Sequence, residues 1–327
     1  MNTMSRHERM NGRGDFAGRA GLLILLTAVA VVAGCATPKR SGLDPVIKNL
    51  GETASAAYHA GALERADSLW QKALQRARLT DNRTEIARNS YNLGLCRIAE
   101  GRHAEAEGLL KQAEAHTGRK GVEASRILLA LAELSRLQDA PADSEDLAAR
   151  AVSAGPDRDG QVQAWLLRSE AAFAAVRREE ALKSYWKAQS SVSGATPPLL
   201  MARMDGLALC LLDARLLSGD AATILVSRAD WLKKAGQYGE MARALVAAAD
   251  RYETDSKWKE AFDCLVRAAQ SLMAADLRAE AAPLLQRASA MAEKTGNAVD
   301  KALLSELEGQ SKREKAVKAW SLEKERI

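Results

Sequence analysis

An all-α fold follows from three observations on these 327 residues. The strong helix formers Ala, Leu, Glu, Lys, Arg and Gln dominate, and hydrophobic residues make up 47 % of the chain with aromatics only 4 %. Glycine and proline are sparse inside long stretches, with 7 prolines in all. No run of Val, Ile and Thr alternates between turn dipeptides as strands would require. The formal charge of +5 is mild and mixed in sign along the chain. Nucleic-acid binding needs a clustered basic face and is excluded on that ground.

The first element is an export segment. Arginines at 6, 9, 13 and 19 precede an apolar run, Gly21 to Ala33, which is short of the ~20 residues a spanning helix needs. The run ends in Val32, Ala33, Gly34 and Cys35: an aliphatic residue, two small residues and a thiol. This resembles the bacterial lipoprotein signal. The resemblance implies cleavage after residue 34 and a diacylglyceryl and acyl lipid on Cys35. Ala36 stands where an Asp would signal inner-membrane retention, so the resemblance implies the outer membrane, facing the periplasm. An uncleaved anchor and an ordinary cleavage site are the alternatives, and translation starting at Met4 or Met10 is also open. Residues 35–45 form a turn-rich tether with Pro38, Gly42 and Pro45. Ten such residues reach roughly 35 Å at most and average nearer 17 Å, which keeps the body close to a membrane.

Helical hairpins follow. Gly61, Ala66, Trp70 and Ala73 mark a turn and a second helix. The next unit is the clearest: Tyr91, Asn92, Leu93 and Gly94, then Gly101, then Glu105, Ala106, Leu110 and Ala113. Gly94 and Ala106 are small where two antiparallel helices cross closely, Gly101 permits the turn, and Leu93 and Leu110 fill the space around the crossing. Leu131, Ala132, Ala148, Ala151 and Pro156 give a third unit, and Trp165, Ala181, Tyr185 and Ala188 a fourth. The stretch 199–236 is helical by pattern but matches poorly. Ala249, Tyr252, Ala261, Leu265 and Ala268 give a later unit, with a half-unit at Ala281, Leu285 and Ala288. Over 296–327 the apolar Leu303, Leu304 and Leu307 give way to Lys312, Arg313, Glu314 and Lys315, which reads as a capping helix. The spacing of roughly 37 to 43 residues and the residues of the second unit resemble the tetratricopeptide repeat. That resemblance implies a right-handed α-solenoid of helical hairpins over 46–295. A helical solenoid of another family is the alternative.

Catalytic and metal chemistry find little support. The histidines at 7, 59, 103 and 116 have no ligand spacing, and no metal, cofactor or catalytic group is expected. Asp157, Arg158, Asp159 and Gly160 begin like a calcium loop but lack its closing glutamate, and read as a turn. Cys96, Cys210 and Cys264 sit in apolar helical patterns and read as buried thiols, and a pair among them stays open. Trp70, Trp165, Trp186, Trp231 and Trp258 read as packing residues.

What remains is a surface. In the repeat family, the first helices of successive units line a concave groove for a peptide. Carried over by register, the resemblance places Arg88, Tyr91, Asn92, Leu95 and Ile98 of the second unit in that groove. Arg126, Glu133 and Arg136 come from the third unit, Gln163, Glu170 and Phe173 from the fourth, and Arg243 and Asp250 from a later one. Asn92 takes the place that hydrogen-bonds peptide backbone. The arginines suit an acidic or carboxylate-terminated partner, because guanidinium matches carboxylate in a bidentate fork. These residues imply a membrane-anchored scaffold for a protein or peptide of the cell envelope, and ordinary solvated faces are the alternative. A solenoid enzyme of cell-wall or polysaccharide metabolism, built on Glu133 and Glu170, also stays open, as does an adaptor facing the cytoplasm.

Overall fold

The computed structural model describes residues 44–296, 300–307 and 309. The signal segment, Cys35 and most of the expected tether lie outside them, as does most of 296–327. The described residues are helical throughout, without strands, and no helix among them is long and apolar enough to cross a membrane. The repeat body, expected as one array, divides at Pro197–Pro198 into two compact units.

In the first unit, α1 (Pro45–His59) packs on α2 (Leu63–Leu79), α3 (Arg83–Ala99) on α4 (His103–His116), α5 (Val122–Leu137) on α6 (Pro141–Ala154), and α7 (Arg158–Ala174) on α8 (Arg178–Ser191). Asp44 caps α1 by accepting the Val46 N–H at 2.9 Å, with Pro45 in the first turn, where its missing donor does no harm. Asn82 and Asp157 cap α3 and α7 in the same way. The turn inside each hairpin holds one residue in the left-handed region: Gly61, Gly101, Asp139 and Val176. Around it two backbone bonds close the preceding helix, such as Gly101 N to Ile98 O at 3.0 Å and Arg102 N to Arg97 O at 2.8 Å. These turns recur roughly every 40 residues, within the spacing expected from the sequence.

The crossing of α3 and α4 is as anticipated. A Cβ at Gly94 would lie 3.0 Å from Cγ and Cδ2 of Leu110, and Leu93, Ala106 and Leu110 are all buried. The core runs from Tyr58 and Trp70 through Leu95, Ile98 and Leu110 to Leu134, then continues in Leu129, Ala148 and Leu167. The odd helices α1, α3, α5 and α7 touch one another in sequence, forming one layer, with the even helices packed against it.

The second unit repeats the plan. Its helices are α9 (Pro198–Asp213), α10 (Ala221–Lys234), α11 (Tyr238–Thr254), α12 (Trp258–Ala274) and α13 (Arg278–Thr295), each packed on the next. The poorly matching stretch 199–236 is thus an ordinary hairpin, α9 with α10. Left-handed residues Arg215, Gly236, Ser256 and Asp276 mark the successive turns. Helical residues 300–307 bury Leu304 and Leu307 in this core, and Lys259 Nζ meets Asp300 at 2.8 Å.

Candidate partner-binding face

The odd-helix layer of the first unit carries most of the residues expected in the groove, at very different depths. α3 is packed by α1, α2, α4 and α5, so little of it faces outward. Leu95 is 1 % exposed and Ile98 0 %, both inside the core, and neither can touch a partner. This corrects their place in the groove: they are structural. Glu133 is 0 % exposed and Asn92 9 %. Arg88 is exposed, and Tyr91, Arg126, Arg136, Gln163, Glu170 and Phe173 are half-buried on α3, α5 and α7. Arg243 and Asp250 are exposed on α11 of the second unit.

The arginines are not waiting for a partner's carboxylate. Arg88 meets Glu85 at 2.7 Å, and Arg126 donates to Asp157 at 2.9 Å. Arg136 meets Glu133 at 2.6 Å and lies 3.8 Å from Glu170. Arg243 pairs with Glu240, and Asp250 with Arg287. Glu85 and Glu133 are themselves buried, so drawing their arginines away would remove the cation beside a buried anion, which is costly. The expected match to an acidic partner is corrected accordingly. Asp157 also caps α7, accepting the Gly160 N–H at 2.8 Å, so the calcium-like tetrapeptide, expected as a turn, is instead the start of a helix.

Tyr91 lies beside the Arg126–Asp157 pair, and burial pushes its phenol up to about 12. It stays a neutral hydrogen-bonding group. Burial, with Asp157 nearby, also pushes the Asp159 carboxyl up, against a hydrogen bond from Thr196.

The carboxylates singled out for hydrolysis, Glu133 and Glu170, both lie at the Arg136 guanidinium, and Glu133 is sealed from any substrate. Asp67, Cys96 and Glu100 are close enough to suggest a metal. Arg97 already supplies the cation there, binding both Asp67 oxygens while also reaching Glu105, and Gln71 Nε2 donates to Asp67 at 2.7 Å. Burial pushes the Cys96 thiol up to about 12, and its sulfur contacts the Leu63 carbonyl at 3.5 Å. These residues fit an ion-pair network better than a metal.

Cys96 and Cys264 are buried thiols as expected, whereas Cys210 is exposed. Trp70 is fully buried, but Trp186 is 50 % exposed and is not a packing residue. The Trp165 ring has Lys187 Nζ 4.1 Å and the Arg168 guanidinium carbon 4.8 Å from its centroid. Sequence reasoning missed the Arg97 network, whose partners lie on three helices. It also missed Glu85, although its i,i+3 spacing to Arg88 on a helix was a readable signal.

No family model matches the chain, and no curated protein does. Solved structures do. A tetratricopeptide repeat protein from Parabacteroides merdae is 17 % identical over 80 % of this chain and 98 % of its own, with a TM-score of 0.42. The Pyrococcus horikoshii signal transduction ATPase with a tetratricopeptide repeat sensor is 14 % identical, with a TM-score of 0.38. That match covers 80 % of this chain and only 45 % of the archaeal one. The TPR2AB domain of yeast Sti1, in complex with pHSP90, is 14 % identical over 82 % and 99 %, with a TM-score of 0.30. At such scores the superpositions are loose, and the fold rests on the chain's own helices.

Proposed function

We propose that this chain is a lipid-anchored scaffold of the bacterial cell envelope, binding a protein or peptide partner on the odd-helix face of its first unit. Cys35 carries the acyl lipid, and the short tether holds the helical body at the periplasmic side of the outer membrane. There it supports assembly of an envelope complex without a cofactor or metal. The observation that carries the reading is the register of one face. Tyr91, Arg126, Gln163 and Phe173 come from three successive hairpins, and each presents half-buried polar or aromatic surface. Such repeated, partly buried side chains on adjacent helices suit an elongated partner better than a small molecule.

Two measurements test it. Radiolabelled palmitate is incorporated into the wild-type chain and not into Cys35→Ser; equal labelling of both would remove the anchor. A photo-crosslinking amino acid at position 91, introduced into the full chain in membranes, captures a discrete protein, while the same group at exposed position 79 does not. Equal capture at both sites would remove the face.

A further inference from the structure

The odd-helix face is charge-matched from within. Arg88, Arg126 and Arg136 are each held by a carboxylate of their own chain, at 2.7, 2.9 and 2.6 Å. The side chains of Glu85 and Glu133 are only 5 % and 1 % exposed, so an arginine turned outward would take the cation from a buried carboxylate. Asp157 has the added duty of capping α7. Among these ion pairs the face offers half-buried neutral groups: the Tyr91 phenol, the Gln163 amide and the Phe173 ring. We propose that this face selects an uncharged peptide segment, held by phenol and amide hydrogen bonds and ring contact, and discriminates against acidic and carboxylate-terminated segments. The inference rests on the partner-binding reading above and gives the partner its chemistry. An incoming carboxylate finds each of these guanidinium groups engaged, and an incoming cation finds Glu85, Asp157 and Glu133 engaged. A neutral segment disturbs none of these pairs.

Arrays of synthetic peptides of equal length, in neutral, acidic and basic sets, test this against the full chain solubilised in detergent. Neutral peptides should be retained about tenfold better than either charged set, with affinity changing less than about twofold between roughly 50 and 500 mM salt. Tyr91→Ala and Gln163→Ala should each weaken that retention. Acidic peptides retained best, or a steep salt dependence, would overturn the charge-matched selection while leaving the partner-binding reading standing. If no peptide set binds in a Tyr91-dependent way, both fall. Glu85→Gln frees Arg88 and should raise acidic-peptide binding about tenfold. If that variant does not fold, Asp157→Asn, which keeps a capping side chain, frees Arg126 with the same expected gain. No gain from a folded variant counts against the proposal.

Discussion

Val176 occupies a backbone conformation that its side chain disfavours. Its φ is 61° in the turn between α7 and α8, where the matching turns use Gly61 and Gly101, and the residue is 72 % exposed. A β-branched residue gains little from such exposure and meets its own carbonyl, so Val176→Gly should stabilise the protein by about 1 kcal/mol in urea unfolding. Gly94 gives the opposite case. Its would-be Cβ meets the branch point of buried Leu110 at 3.0 Å, so Gly94→Val should destabilise by about 2–3 kcal/mol despite removing a helix-interior glycine. Titration behaviour also belongs at this scale. Tyr91 titrates at about 12 when folded, raised by burial from 10.0. Because the folded state favours the protonated phenol, this stabilisation is complete below pH 10 and is lost as pH rises through 12. Tyr91→Phe should therefore show a shallower fall in urea midpoint over that window; an identical fall would refute the burial.

The repeated element is a hairpin closed by a left-handed turn and locked to its neighbours by long side chains. Arg97 on α3 reaches Asp67 on α2 and Glu105 on α4, while Arg150 on α6 meets Glu114 on α4 at 2.5 Å. The Asp67–Arg97 pair is buried, so removing either partner leaves a stranded charge. Asp67→Ala and Arg97→Ala should each destabilise by about 3 kcal/mol, and the double variant by about 2 kcal/mol less than their sum. Additive losses in chemical denaturation would show that the two groups are independent. This scale also explains what was legible in the sequence. Gly94, Ala106 and Leu110 were readable because a close helix crossing demands small residues in fixed register. The α9–α10 hairpin was not, because Arg228 lies over Gly206, with Nη1 3.0 Å from a would-be Cβ, where the α3–α4 crossing has Leu110 over Gly94. Its turn uses Arg215 in place of glycine, so the punctuation was missing too. Leu95 and Ile98 were misplaced because register gives a helix face without saying how many neighbours cover it. Arg126 with Asp157 was invisible for another reason: the two lie on different helices, and only folding joins them.

At the scale of the whole molecule, the described helices form two compact units, each with a core assembled from hairpins. A stacked hairpin buries its apolar face on the one before it, so stability depends on whole hairpins and not on residue number alone. In the first unit, α7 and α8 illustrate the dependence: Ser169 Oγ donates to the Ala181 carbonyl at 2.6 Å, and Ala172, Ala181 and Ala188 are buried. A chain ending at Pro197 keeps this hairpin intact, whereas one ending at Ala175 leaves α7 with its α8-facing surface in water. The fragment 44–197 should therefore give a helical circular dichroism spectrum and a single cooperative urea transition. The fragment 44–175 should unfold at lower urea, having lost about 2 kcal/mol or more through one exposed helix face. Equal midpoints for the two would mean that single helices, and not hairpins, are the units that stack.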